Sequence, residues 1–212
     1  MAGFLSEQGT GASQFTTAAL QAQTSGCLAD ATTVPMTGQT EGDVVNLGSF
    51  AIDGQTLQIH VQANADGNQF SGIYSITGGC AGGASGNAAG TEYAALTGTY
   101  TGSVTGSNPA VTLSLALSQY AQGTGSGDFP MTGSAAFTGI SCFSQGTLAA
   151  ENGSVIGDSV TMDFTTNDGQ GVDIQMTGTI NPAGSTITLS SIQINGGACS
   201  GTLGSATLLQ QQ

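Results

Sequence analysis

Few residues in this chain could carry chemistry, and three of them are close together in sequence. Asp163, Asp168 and Asp173 lie within the stretch MDFTTNDGQGVD at residues 162–173. If this stretch is a hairpin that turns at Asp168-Gly169, Asp163 and Asp173 lie on one polar face, opposite or diagonal to each other. Carboxylates so placed repel, which raises one pKa, or they bind a cation such as Ca²⁺. The three aspartates are the candidate cation site. A solvated face with an Asn-Asp-Gly turn is the favoured alternative.

The only histidine, His60, offers little further chemistry. It lies on the polar side of the alternating stretch TLQIHVQ at residues 56–62, and no G-x-S-x-G motif accompanies it. A solvent-facing strand histidine is therefore the favoured interpretation. A hydrolase acting through Asp163 and Asp173 is the weakest function considered, because no aromatic sugar-binding platform accompanies the two carboxylates. We predict no catalytic residues, no cofactor and no resident metal, and so a protein that is not an enzyme.

The charge of the chain excludes several classes of partner. Lysine and arginine are absent from the 212 residues, and 13 carboxylates give a formal charge of −13. Nucleic acids and anionic lipids both require cationic side chains, so we predict neither as a partner. No apolar run reaches the ~18 residues that a transmembrane helix needs. The opening residues MAGFLSEQGTG lack the features of a signal peptide, so export would require a leader that has been removed.

The four cysteines occur in two pairs of similar context. Cys27 and Cys80 follow SG and GG, while Cys142 and Cys199 follow IS and GA, and the two pairs have similar separations. The contexts YSITGGCAGG and IQINGGACSG are near-copies, which indicates an internal duplication. Four cysteines allow three connectivities, and duplication favours Cys27–Cys80 with Cys142–Cys199. Each bridge would close a loop of about 55 residues and contribute roughly 4 kcal/mol in the chain-entropy model. Free buried thiols are the alternative.

Alternation of apolar and polar residues predicts strands along most of the chain. The clearest examples are TLQIHVQ (56–62), AVTLSLALSQ (110–119), SVTMDFTT (159–166) and GVDIQMTGTI (171–180). Turn sequences such as Asp53-Gly54 and Asp66-Gly67 separate them at intervals of roughly 10–14 residues. We therefore predict an all-β fold, an antiparallel meander closed as a barrel or folded as a sandwich.

The duplication places a domain boundary near the middle of the chain. We predict a first β unit at residues 1–94 with Cys27–Cys80, and a second at residues 95–212 with Cys142–Cys199. The second unit begins with LTGTYTGSV, in which Gly98 and Gly102 share a face with the apolar residues. Glycine on that face allows a neighbouring strand to approach closely, as at a tightly curved barrel wall.

Six segments spread over most of the chain have a distinctive composition: GFLSEQG, FSGIYSITGGCAGG, LTGTYTGSVTG, FPMTGSAAFTG, SCFSQGTL and VTMDFTTNDG. Together they resemble a group of secreted lipoproteins of acidobacteria, which are β proteins rich in Gly, Ser and Thr with paired cysteines. The resemblance implies an envelope or extracellular location, with anchoring through a lipidated N-terminal cysteine. This chain has no cysteine near Met1 and lacks the opening G-N-W strand of the group. The resemblance carries over no catalytic residues.

These observations favour a non-enzymatic extracellular or cell-surface β module with a binding or structural role. The first alternative is a subunit of an extracellular filament, in which a chain end such as SATLLQQQ adds to the sheet edge of a neighbour. The second is a lipocalin- or avidin-like barrel that holds a small apolar ligand. The expected partners are accordingly an envelope component or a second copy of the chain.

Overall fold

The computed structural model describes residues 1–8, 13–21, 27–28, 32–167 and 171–211, and its regular structure is almost entirely β-strand. The one helical element in these ranges is a three-residue 3₁₀ turn at Ala150–Asn152. The predicted all-β fold is confirmed. A helix long and apolar enough to cross a membrane is not found in the described part of the chain.

The described residues form two compact units. The first comprises Met1–Glu92 with the short segment Gln122–Asp128, and the second comprises Tyr93–Ala121 with Phe129–Gln212. The sequence places the change of unit between residues 94 and 95, and the structure places it after Glu92. The segment Gln122–Asp128, which the sequence assigns to the second unit, belongs to the first.

The first unit is an open antiparallel sheet in which seven strands follow one another in chain order. Its strands are β1 (Ala2–Gln8), β2 (Ser13–Gln21), β3 (Thr33–Glu41), β4 (Val44–Ser49), β5 (Thr56–Ala63), β6 (Gln69–Thr77) and β7 (Ser85–Thr91). Each strand pairs with the next, so β1 and β7 are the two edges. This is the predicted meander, without closure in its described residues.

The second unit is a closed barrel with eight strand positions. Its strands are β8 (Thr97–Thr105), β9 (Thr112–Gln119), β10 (Phe129–Thr138), β11 (Gln145–Leu148), β12 (Gly153–Ile156), β13 (Ser159–Thr166), β14 (Asp173–Ile180), β15 (Thr186–Asn195) and β16 (Gly201–Gln210). β11 and β12 share one position, because both lie between β10 and β13. The last strand, β16, pairs with β8 and completes the ring.

Pairing on both sides of β16 corrects one expectation from the sequence. The stretch SATLLQQQ at residues 205–212 belongs to β16 over most of its length, where it pairs with β15 and with β8. The Gln211 side chain also donates to the Thr101 hydroxyl. The backbone hydrogen bonds of this segment are used inside its own barrel, so it is not a free strand that could add to a neighbour.

Alternating apolar residues fill the inside of the barrel. On β9, Leu113 and Leu115 are fully buried, and Phe164 on β13 and Met176 on β14 face them from other strands. Tyr100 on β8 is also fully buried, and its hydroxyl donates to the Gly184 carbonyl at 2.7 Å. Burial raises the pKa of this phenol. The interior is therefore a packed core of side chains.

Both predicted disulfides are present, one in each unit. Cys27–Cys80 joins Cα atoms 5.6 Å apart, and Cys142–Cys199 joins Cα atoms 6.2 Å apart. In each unit the first cysteine lies just before a run of four strand positions and the second lies just after it. These runs are β3–β6 in the first unit and β11/β12–β15 in the second.

The correspondence between the units extends to their turns. A Gly-Asp turn with positive φ at glycine joins β3 to β4 at Gly42 and joins β12 to β13 at Gly157. Gly157 follows Gly42 at the same interval as Cys142 follows Cys27. Matched in this way, β1 corresponds to β9 and β7 corresponds to β16. The second unit then has one strand, β8, with no counterpart in the described residues of the first.

Close approach of neighbouring strands at inward glycines is common to both units. A Cβ atom at Gly102 on β8 would lie 2.2 Å from the Thr207 carbonyl oxygen, and one at Gly178 would lie 2.2 Å from that of Thr188. In the open sheet, a Cβ at Gly38 would lie 1.8 Å from the Asn46 carbonyl oxygen. Any side chain would clash at these positions, so glycine is required. The inward glycine predicted at position 102 has the role that the sequence assigns to it.

Candidate functional site

Asp163 and Asp173 lie on one face of the β13–β14 hairpin, as the sequence predicts. Asp163 is opposite Gln175, and Asp173 is opposite Thr165, so the two aspartates are diagonal neighbours. Asp168, the third member of the candidate cation site, lies outside the described residues. The described ranges contain no group of three His, Cys, Asp or Glu side chains able to hold a metal ion. A cation site at these aspartates stays a prediction.

The environments of the two aspartates differ. β13 pairs with β12 up to Met162 and with β11 from Thr165. Asp163 lies between these two paired stretches, opposite the 3₁₀ turn that separates β11 from β12. Its Oδ1 atom is buried and has no hydrogen-bond partner within the described ranges. Burial raises the pKa of Asp163, and the negative charge of Asp173 raises it further. Asp173 Oδ1 instead accepts a hydrogen bond from the Thr165 hydroxyl at 3.3 Å.

His60 is exposed on the polar face of β5, where the sequence places it. It pairs with Asn46 on β4 and with Ile73 on β6. Its Nδ1 atom lies 2.5 Å from Asn46 Oδ1. Within the described ranges this imidazole has no hydrogen bond to a serine, threonine or cysteine side chain that could act as a nucleophile.

An open groove runs across β3, β4, β5 and β6 beside His60. Its lining includes Gln39, Asn46, Gln58, Ser75 and Ile73, and it contains no acidic side chain. Amides and hydroxyls can exchange hydrogen bonds with a neutral polar ligand.

The two edges of the open sheet are the most distinctive feature of the first unit. β1 pairs only with β2, and β7 pairs only with β6, among the described strands. Natural edge strands are usually protected by charged residues, proline or bulges. β7 has the sequence SGNAAGT, without a charge or a proline, and its register with β6 is regular. β1 carries one carboxylate, Glu7, and is equally regular. β7 therefore has none of these protections, and β1 has one, the carboxylate of Glu7.

The apolar face of the open sheet is only partly covered. Leu5 on β1 lies opposite buried Ala18 and so belongs to this face, yet it is 41% exposed. The side chains of Ile59 and Tyr74, which face each other on β5 and β6, are half-buried. The corresponding faces of β9 and β14 in the barrel are buried, with Leu115 and Ile174 at 0% exposure. The apolar face of the first unit is therefore the interior of an incomplete barrel.

Comparisons of the chain with protein-family models, with curated proteins and with solved structures find no match.

Sequence reasoning places His60 and the Asp163–Asp173 pair on their faces but does not find the open edges. The signal was available in the cysteine framework. Among the described strands, two of the first unit precede Cys27, whereas three of the second unit precede Cys142. The additional strand is β8, which the sequence already assigns to the start of the second unit.

Proposed function

We propose that this protein is a non-enzymatic, extracellular or cell-surface β module in which the open first unit binds a partner and the closed second unit is the stable support. One observation carries the proposal. Two units with the same strand order and disulfide position differ in that only the second is closed. Closure leaves no strand edge available, whereas the first unit keeps two.

The location is argued from the cysteines. Disulfides persist mainly in oxidising compartments, so the two bridges are compatible with a secreted or extracellular protein. The formal charge of −13 without any cation supports a soluble acidic surface that avoids nucleic acid. The resemblance to secreted lipoproteins is consistent with the same location.

The surroundings of the candidate residues support a role without catalysis. His60 is partnered by an amide, and the described chain has no cluster of titratable side chains suited to a metal. Asp163 and Asp173 are two carboxylates without a neighbouring aromatic platform in the hairpin sequence. These features support a binding or structural role more than a catalytic one.

A filament subunit is the second candidate, and the open edges favour it. Edge strands β1 and β7 belong to one sheet, and copies joined edge to edge would form a polymer. The small-ligand barrel has less support. Large side chains such as Tyr100, Met131 and Phe164 occupy the inside of the second unit and are fully buried.

Labelling of cells tests the location and microscopy tests the assembly. Antibodies raised against the oxidised protein should label intact cells of the source organism without permeabilisation. Labelling that requires permeabilisation would refute a surface location.

Light scattering coupled to size exclusion, with negative-stain microscopy, should show small particles for the proposed module. Long polymers would support the filament instead.

A further inference from the structure

The direction of the edge strands limits what can complete the first unit. Seven strands joined in an antiparallel meander place β1 and β7 in the same direction. Direct pairing of β1 with β7 would therefore be parallel, in a sheet that is otherwise antiparallel. One additional strand, antiparallel to both, gives eight positions and an all-antiparallel ring.

The second unit contains such a strand. β8 lies between β16 and β9 and is antiparallel to both. β16 and β9 are the strands that correspond to β7 and β1. Large apolar side chains and glycine alternate along the inward face of β8, beginning at the residue just before the strand: Leu96, Gly98, Tyr100, Gly102 and Val104. The three large side chains are at most 5% exposed in the barrel.

We infer that edge strands β1 and β7 of the first unit bind one extended segment of a second polypeptide. The inward side chains of this segment alternate between glycine and large apolar residues, as those of β8 do. Main-chain hydrogen bonds to both edges would hold the segment, and its apolar side chains would cover the partly exposed interior. This inference rests on the binding role proposed above and specifies the chemistry of the partner.

Four observations support this segment as the occupant. β7 has no charge, proline or bulge of the kind that normally prevents strand addition, and β1 has only one such feature, the carboxylate of Glu7. Leu5 is exposed on the inward face of β1, where a large side chain of an added strand would contact it. Inward glycines such as Gly38 give the open sheet the same close strand approach as the barrel. A neutral segment also avoids repulsion by a protein of charge −13.

The test uses a fluorescein-labelled peptide with the β8 sequence, ALTGTYTGSVTG (residues 95–106), and the full oxidised chain. Anisotropy should show saturable binding at one site per chain. A peptide with threonine in place of the tyrosine and the valine should bind at least tenfold more weakly, because it lacks the inward apolar groups. Equal binding of the two peptides, or no binding of the first, would overturn the inference.

Two matched variants locate the site. Leu5→Asp places a carboxylate where the added strand would bury it and should weaken peptide binding at least tenfold. Ile73→Asp makes the same charge change at a residue that is 58% exposed on the opposite face of the sheet, and it should leave binding unchanged. Binding that is equally strong in Leu5→Asp would place the peptide elsewhere, for example in exchange with β8. Circular dichroism confirms that both variants are folded.

A fusion gives an independent test. Residues 95–111, which contain β8 and its connection to β9, are placed directly before Met1 of the full chain. The added strand should close the first unit, raise its melting temperature and abolish peptide binding. A fusion that still binds the peptide with wild-type affinity contradicts the inference. Failure of these tests would leave the proposed cell-surface module intact, because surface labelling measures that proposal separately.

Discussion

The two units of this molecule share a strand order and a disulfide position, but they bury their apolar residues to different extents. In the closed unit Leu113, Leu115 and Met176 are inaccessible to solvent, whereas in the open unit Leu57 and Ile59 are only half-buried. The difference follows from one strand, β8, which pairs with β16 and β9 and covers the barrel interior. The open sheet still buries residues such as Val34 and Met36, and closure of the second unit is accompanied by a larger buried core.

Removing each disulfide should have the largest effect and should separate the units. Cys27 and Cys80 are 53 residues apart, and Cys142 and Cys199 are 57 apart. Because the loops are of similar length, each bridge should contribute a similar free energy of stabilisation, about 4 kcal/mol in the chain-entropy model. We expect Cys27→Ser with Cys80→Ser to unfold the first unit, because its core is small. The matched pair in the second unit should leave the barrel folded.

Hydrogen exchange with peptic digestion measures this difference, since the chain offers trypsin no Lys or Arg. Protection should be lost in β3–β6 in the first double variant and retained in β13–β15 in the second. Loss of protection in both units from either pair would show that they do not unfold separately.

Truncation of one leucine in each unit should give the next largest effect. Leu115→Ala leaves a cavity in a fully buried site and should cost about 2–5 kcal/mol. Leu57→Ala removes a half-buried side chain from the open sheet and should cost about 1 kcal/mol, because solvent already reaches it. Urea unfolding of the two variants checks the ratio. Equal costs would mean that the open sheet is covered in solution.

Removal of a single hydroxyl should distinguish the two cores on a smaller scale. Tyr100→Phe deprives the Gly184 carbonyl of its buried donor and should cost about 1–2 kcal/mol. Tyr74→Phe is the matched variant in the open sheet, where the side chain is half-buried, and should change stability little. Thermal unfolding of both variants provides the measurement, and a larger loss for Tyr74→Phe would contradict the expected order.

Replacement of Asp163 should stabilise the barrel in a pH-dependent way. Burial, and then Asp173, raise the folded-state pKa of Asp163 above its ordinary value, so the folded protein binds this proton more tightly than the unfolded chain. Stability therefore falls as pH rises through the ordinary pKa, near 3.8, towards the raised folded pKa. Asp163→Asn should raise the melting temperature at pH 7, by an amount equivalent to about 1 kcal/mol or less, and leave it unchanged at pH 3.

Glu151→Gln is the control for Asp163→Asn. Glu151 is exposed in the 3₁₀ turn, and its replacement removes the same charge from the second unit. A similar rise for both variants at pH 7 would indicate a general reduction of net charge. A rise for Asp163→Asn alone assigns the effect to the buried carboxylate.

Calcium should have the smallest effect of all. The favoured interpretation of Asp163, Asp168 and Asp173 is a solvated face, so addition of Ca²⁺ should not change the melting temperature of either unit. A clear rise that Asp163→Asn abolishes would establish the cation site instead and would give the second unit a ligand of its own.

Much of the fold follows from local sequence. Alternation in TLQIHVQ and SVTMDFTT specifies β5 and β13, and the repeated cysteine contexts specify both disulfides. The unequal closure could not be derived in this way. The apolar residues Phe4 and Leu5 are adjacent, so alternation shows neither which face of β1 is inward nor whether a neighbour lies beyond it. The placement of β8 between β16 and β9 depends on pairing between residues about 110 positions apart, as in the contact of Gln211 with Thr101.

The candidate site was predictable to a similar degree. The hairpin sequence correctly places Asp163 and Asp173 on one face as diagonal neighbours. The buried Oδ1 of Asp163 depends on the 3₁₀ turn between β11 and β12, because this turn lies opposite it. A break in an adjacent strand is not encoded near Asp163 in the sequence, so its desolvation could be seen only in three dimensions.

The pairing of β1 and β16 also has a mechanical consequence. β1 is held by a single ladder of hydrogen bonds to β2, so tension applied to it along the hydrogen-bonding direction would peel the strand from the sheet one bond at a time. β16 lies between β15 and β8, and tension on it must break two ladders. A strand added beside β1 would give it a second ladder as well. Under load, occupation of the open edge would therefore give β1 the same two-ladder attachment that β16 has.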